Sequence, residues 1–330
     1  MGLFLLLALL LGIFFLSAAL GKYPLSLRDI LSLVWARLTG AEIQLPRAAT
    51  LAFWNIRMPR ILLGLVVGAG LSLSGASFQA IFRNPLVSPD VLGASSGAGF
   101  GAALAILLGL GAFMISAFAF AFGMLSIVLV MLVARRARVE RILGLILTGI
   151  IVSALFSALL SFLKYAADTQ NQLPAITYWL MGSLNGTYQE SYSIALLLIS
   201  LGSATIILLA WPLNLLSMGD DAARSLGLEV PRLRLILLLA ATLNTAAAVA
   251  VSGMIAWVGL AIPHFARLIL GAEHRRMLPA TALLGASFML LVDDLSRLLA
   301  ESEIPLGILT AFVGAPFFLY LICREGRRSA

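Results

Sequence analysis

The chain has 330 residues, 61% of them hydrophobic and 11% charged, against ~45–50% and ~25% in an ordinary soluble domain. Such a composition excludes a soluble enzyme and a disordered chain, and the lone cysteine, Cys323, excludes an internally cross-linked secreted scaffold. The net charge of +7 does not mark a nucleic-acid binder, because the basic residues lie between apolar runs and not on one soluble face.

Apolar runs of about 20 residues, each able to cross a hydrocarbon core of ~30 Å, recur through the chain. They predict an all-α polytopic membrane protein with one transmembrane domain over 1–330. The first run, 3–20, has small residues Ser17, Ala18 and Ala19 near its end, as a cleavable leader would. It lacks a basic residue ahead of it and its apolar core is long, so it reads as a retained helix. An external loop over 21–58 follows, then helices at 60–81, 91–109, 112–134 and 142–163. A short piece at 174–182 reads as a re-entrant or surface helix. Runs at 192–211, 233–253, 256–270, 277–298 and 306–323 complete ten; the eighth, which holds Pro263, is short for a full span.

Ten spans put both termini on one side, and the excess of basic residues in short loops marks the cytoplasm. With both termini there, 14 arginines fall inside: Arg83, Arg135, Arg136, Arg138, Arg141, Arg224, Arg232, Arg234, Arg267, Arg275, Arg276, Arg324, Arg327 and Arg328. Outside, beyond the first loop, stand only Lys164 and Arg297. The first loop departs from the rule, with Lys22, Arg28, Arg37, Arg47, Arg57 and Arg60 against Asp29 and Glu42.

Gly64 and Gly68, then Gly93, Gly97 and Gly101, stand four apart, a spacing that lets helix backbones approach closely in lipid. No stretch fits a phosphate-binding GxxxxGK[ST] loop, so no ATPase site of that kind is expected. Ser74-Gly75 precedes Pro85 by the interval at which Ser252-Gly253 precedes Pro263. That echo is what an inverted repeat would leave, or chance. No ionisable residue falls at mid-depth: Asp293, Asp294 and Arg297 lie near the outer end of the ninth helix, and His264 near the inner end of the eighth. A proton or sodium site is therefore not expected, unless broken helices supply backbone carbonyls. Energy for uphill transport then arrives from another subunit. The cytoplasmic stretch 218–231 is a place for it to arrive: Asp220 and Asp221 suit a helix N-terminus, Gly227 can end that helix, and two short helices along the membrane fit its length. An ordinary solvated connector fits as well.

Ile56-Arg57-Met58-Pro59-Arg60, Gly70-Leu71-Ser72-Leu73-Ser74-Gly75 with Gln79, Asn84-Pro85-Leu86 with Pro89, and Leu92-Gly93 with Gly97 resemble the FecCD family of ABC-importer permeases. Tyr178-Trp179 with Gly182, Ala223-Arg224 with Gly227, Gly259 with Pro263-His264 and Arg267, His274-Arg275, Leu278-Pro279 and Gly314-Ala315-Pro316-Phe317 continue the resemblance in order over roughly 50–323. It implies a type II importer fold of ten helices working as a homodimer in the cytoplasmic (inner) membrane. Two cytoplasmic ABC ATPase subunits and an extracytoplasmic substrate-binding protein are the implied partners. This chain would be no enzyme and hold no cofactor or metal, ATP and magnesium belonging to the ATPase subunits. The implied cargo is a metal chelate, namely a ferric siderophore, haem or cobalamin. An oxyanion such as molybdate is the alternative, and a gradient-driven carrier or a scaffold without transport are readings from other classes.

The resemblance also assigns residues. Arg57, Arg60 and Arg297 would receive acidic residues of the binding protein, for which an arginine fork is suited, while Lys22, Arg28, Arg37 and Arg47 would suit lipid headgroups. Met218, Gly219, Asp220, Asp221, Arg224, Leu226 and Gly227, within a coupling segment at 213–231, would meet the ATPase. The translocation path would be lined by Thr148, Ser153, Ser157, Ser161, Trp179 and Met181. His264 fits a family turn beside Pro263 better than a metal ligand. Two acids, Asp293 and Asp294, stand where the family pattern has one, leaving open which of them orients Arg297.

Overall fold

A computed structural model describes residues 2–326 except 22, 24, 42–44, 137–139 and 186–188. Lys22, Glu42, Arg138, Arg327 and Arg328 therefore lie outside the described residues, as do the side chains of Arg141 and Arg324. Among the described residues every regular element is helical. In chain order they are α1 (Gly2–Ala19), α2 (Leu27–Thr39), α3 (Arg47–Leu51), a π-helical turn (Ala52–Arg57), α4 (Met58–Phe82), a 3-10 turn (Pro89–Leu92), α5 (Ala94–Leu107), α6 (Ala112–Ala134) and α7 (Arg141–Ala166). Then follow α8 (Gln172–Met181), α9 (Gln189–Leu208), α10 (Ala210–Ser217), α11 (Asp220–Ser225), α12 (Val230–Ser252), α13 (Val258–Leu270), α14 (His274–Leu298) and α15 (Leu306–Gly326).

Among the described residues, seven helical stretches are long and apolar enough to cross a membrane, and Ala94–Leu107, Val258–Leu270 and Leu306–Leu319 are shorter apolar helices. Together they coincide with the ten expected runs. The external loop is shorter than 21–58, because helix begins at Arg47 and runs unbroken to Phe82 over 36 residues. Pro59 does not stop it: the π-helical turn just before it widens the backbone where the ring would otherwise collide. Arg57 and Arg60 consequently stand on a helix and not in a loop. The sixth run also breaks, at Leu209, so the two short helices in this part of the chain are α10 and α11, of which α11 alone falls within 218–231.

α4 and α12 form the centre, with 78% and 72% of their spans buried, against 22–33% for α1, α6, α7 and α9. Small residues explain the difference. A β-carbon on Gly68 would strike the carbonyl of Gly285, one on Gly97 that of Phe122, and one on Gly101 that of Phe118. Helix axes approach closely there and gain dispersion contacts that lipid cannot supply. Gly64 meets only side chains, and Gly93 serves another purpose, ending the 3-10 turn in the left-handed region at φ 77. Two of the hydroxyls buried in α4 find backbone partners: Ser72 donates to the carbonyl of Gly68 at 2.7 Å, and Ser74 to those of Gly70 and Ala241 at 2.8 and 2.9 Å.

The echo noted between Ser74-Gly75 and Ser252-Gly253 does not extend to local structure. Gly75 lies inside α4 against Gly259, whereas Gly253, at φ 67, ends α12. Beyond it, Trp257 turns the chain into α13 at φ 72, an unusual backbone for a bulky residue. Its ring rests on the bare α-carbon of Gly314 and lies 5.8 Å from Phe318, both on α15.

Candidate functional site

Two clusters of charge lie at opposite ends of α4, about 35 Å apart at 1.5 Å per residue. The first gathers Arg57, Arg60 and Arg297, all near one end. Arg57 is 6% exposed and donates to the carbonyls of Ala18 and Ala19 at 2.8 and 3.4 Å, and to that of Tyr23. It thus caps α1, whose last carbonyls have no helical partner. Arg60 donates through Nε to Asp293 at 2.9 and 3.1 Å, and through both terminal nitrogens to Glu303 at 2.9 Å each. The Nε of Arg297 lies 3.1 Å from the Asp293 carboxylate, while its terminal nitrogens reach Asp294 and the carbonyl of Leu20. Ser17 donates to Asp294 at 2.7 Å. Both acids therefore orient Arg297: Asp293 shares it with Arg60, and Asp294 ties it to α1.

The structure brings the three expected arginines together, and it turns all of them inward. Arg60 and Arg297 meet the three carboxylates of Asp293, Asp294 and Glu303 while Arg57 is held by backbone carbonyls, so the formal charges of the cluster balance and its partners lie within the chain. The described arginines exposed in this part of the chain are Arg28 and Arg37, on α2, and Arg47. Glu303 was not anticipated. Counting basic residues by side passes over an acid, and its place just before Ile304-Pro305 at the start of α15 was the available signal.

The second cluster centres on Asp220, the first residue of α11. Arg234 of α12 donates to it at 2.9 and 3.2 Å, and Arg83, at the end of α4, pairs with it too. Burial pushes the Asp220 carboxyl up, but the hydrogen bond and charge of Arg234, joined by Arg83, outweigh burial and hold it below its ordinary value. Gly219 at φ 124 and Gly227 at φ 83 turn the chain into and out of α11. Ala223 packs inward, while Met218, Asp221, Arg224 and Leu226 are exposed. α11 is thus a short helix pinned on one side to α4 and α12, with Met218, Leu226 and the Asp221–Arg224 pair, 3.6 Å apart, exposed on the other.

Of the expected path residues, Thr148 is buried, 4% exposed, and so is turned into this chain and away from the open face of α7. Ser153 is half-buried against Gly93. Ser157 and Ser161 are exposed, Ser161 donating to the Ser157 carbonyl at 2.9 Å. Trp179 lines a crevice of about 360 Å³ with Tyr178, Ser116, Ser183, Asn185 and Ser191. Met181 lines a separate apolar cleft of about 640 Å³ with Met254, Gly307, Ala311 and Phe312. α8 is fixed between these two spaces: the Ser183 amide donates to the Ser252 carbonyl at 2.8 Å, and the Leu306 amide to the Gly182 carbonyl at 2.9 Å. A further residue passed over in the sequence, Asp90, accepts from Ser95 at the turn before α5. His264 stands edge-on to Phe317, 5.9 Å away. Among the described residues no three His, Cys, Asp or Glu gather as a metal site.

The family model described as the FecCD transport family matches residues 8–324. The molybdate import system permease protein MolB of Haemophilus influenzae is 42% identical over 94% of this chain and 92% of its own length. An iron chelatin transport system permease protein of Helicobacter pylori is 43% identical over 82% of each chain. Among solved structures, an inward-facing metal-chelate type ABC transporter superposes with a TM-score of 0.86 at 41% identity, over 98% of both chains.

Proposed function

The chain belongs to the FecCD transport family and is an ABC importer permease; we propose that it works as a homodimer with two cytoplasmic ATPase subunits and an extracytoplasmic binding protein, carrying a metal chelate inward by alternating access. The observation that carries this reading is the match along nearly the whole chain, 8–324. The two clusters give it a mechanism. α11 meets the ATPase through Met218, Asp221, Arg224 and Leu226, and Asp220 passes its displacement to α4 and α12. At the far end the arginine cluster receives the binding protein. Both termini then lie in the cytoplasm.

ATP hydrolysis belongs to the partner subunits, and this chain supplies only the path and the levers. Hydroxyls and aliphatic groups hold a bulky chelate weakly, which lets it leave. A second cargo, a tetrahedral oxyanion, is favoured by the 42% identity to a molybdate permease. Vesicles reconstituted with the cognate ATPase and binding protein, and offered labelled ferric siderophore, haem, cobalamin and molybdate in parallel, separate the two. ATP-dependent uptake of one cargo is expected. Uptake driven by an ion gradient without ATP would sink the importer reading in favour of a lone carrier.

A further inference from the structure

Arg60 has two hydrogen-bonding edges, and they face different worlds. The edge bearing Nε meets Asp293, which is 1% exposed, while the edge bearing the two terminal nitrogens meets Glu303, whose side chain is 28% exposed. One carboxylate is sealed within the helix bundle, and the other is a rim residue that solvent reaches. A partner approaching from outside with a carboxylate would offer the outward edge the same planar, bidentate contact that Glu303 now makes.

We propose that Glu303 is an exchangeable occupant of Arg60, displaced by a carboxylate of the docking protein, and that its release loosens the connection from α14 to α15. The inference rests on the docking reading given under Proposed function. Exchange resolves how arginines buried in a neutral cluster can serve a partner at all. Arg60 is never left bare, because one carboxylate replaces another of equal charge. Leaving it unpaired would be strongly unfavourable for so buried a cation. Asp293 holds the guanidinium in place throughout. Once Glu303 lets go, the released acid stands beside a partner that has taken its charge-balancing role.

The position of Glu303 in the chain says where the release is felt. The next residue, Ile304, is fastened to Ser296 of α14, its amide donating at 3.1 Å and its carbonyl accepting from Oγ at 2.6 Å. Two residues further, Leu306 opens α15 with its amide on the carbonyl of Gly182, at the end of α8. The segment that Glu303 anchors therefore links α14 to both α8 and α15, the helices bordering the apolar cleft at Met181. Docking at Arg60 and opening of that cleft share one short piece of backbone.

The test uses the full transporter in nanodiscs with its ATPase subunits and cognate binding protein. Glu303→Gln removes the competing charge and is expected to tighten docking about tenfold in Kd; Glu303→Asp is expected to return it toward the starting value. A nitroxide at Ser302→Cys, in a Cys323→Ser background, is expected to gain mobility on docking, and to be mobile beforehand when Glu303 is Gln. Unchanged or weaker docking of Glu303→Gln, with a label that does not respond, overturns the exchange. The double variant Arg60→Gln with Glu303→Gln separates this from the parent reading. If it keeps the tight binding of Glu303→Gln alone, the partner does not use Arg60, and the docking reading falls as well. Should Glu303→Gln fail to fold, the label beside the native Glu303 decides: no mobility change on docking refutes the proposal.

Discussion

Asp293 is the carboxylate on which the outer cluster depends, since both Arg60 and Arg297 lean on it. Asp293→Ala leaves two cations short of a partner in a site 1% exposed, and the expected loss is about 3–5 kcal/mol. Thermal unfolding in detergent measures it. Asp220 makes a different statement because water reaches it. Its folded carboxyl sits below the ordinary value, so the unfolded chain takes up protons first as pH falls. The stabilisation is present above the unfolded value of about 4 and is lost as pH drops through the lower folded value. Melting temperatures from pH 6 down to 3 are expected to show Asp220→Asn less stable at the upper end, with the gap to the unsubstituted protein closing toward acid. The local contact of Arg297 with Asp293 was legible from sequence, but the long-range pairings were not. Arg60 lies 233 positions from Asp293 and 243 from Glu303, and no local pattern predicts a pairing across such a separation.

At the scale of elements, what sequence periodicity shows best is length. The ten apolar runs became helices because a membrane leaves backbone groups no other way to be satisfied. What it shows poorly is continuity, as the merging of α3, the π-helical turn and α4 illustrates: a proline beside two arginines reads as a boundary and is none. α2 was hidden for a related reason, being too short and too charged to score as a span. It opens with Ser26 and Asp29 capping one another and buries Ile30, Leu33 and Ala36. It exposes Leu27, Leu31, Trp35 and Leu38, at 53, 53, 66 and 78%. Those four fall at spacings of four, four and three, a single apolar stripe, while Arg28 and Arg37 lie off it. A helix of this kind lies flat at the lipid boundary. Lipids brominated near the headgroup are expected to quench tryptophan emission, and Trp35→Phe to remove much of the quenched signal. Equal quenching in both proteins would contradict the flat placement.

Taken whole, a single copy exposes broad apolar faces. α7 exposes Ile150, Ile151, Leu155 and Phe162, and α15 exposes Phe312 at 74%. The cleft at Met181 opens on the same helix, α15, where the second copy of the proposed homodimer would supply a further wall. Light scattering of the detergent-solubilised protein is expected to give the protein mass of two copies, 35.1 kDa each. A single-copy mass that persists in lipid nanodiscs would refute the homodimer. The apolar character of these faces was legible; their occupant was not. Composition showed that the surface would be apolar, but it cannot distinguish a face meant for lipid from one meant for another chain, because both are read from the same residue types.

The turn at Trp257 has one more consequence. A tryptophan at φ 72 holds its backbone uphill by roughly 1–2 kcal/mol, and what offsets this is the seat that Gly314 and Phe318 provide on α15. Gly314→Leu fills that seat and is expected to shift Trp257 emission and lower the melting temperature; an unchanged spectrum would mean the ring does not depend on it. In the intact protein, the contact and the dihedral angle stand or fall together. If α15 swings away, the reason for the strained angle goes with it, and the start of α13 is free to rotate into relaxed backbone. The junction therefore couples the start of α13 to α15 through a single side chain.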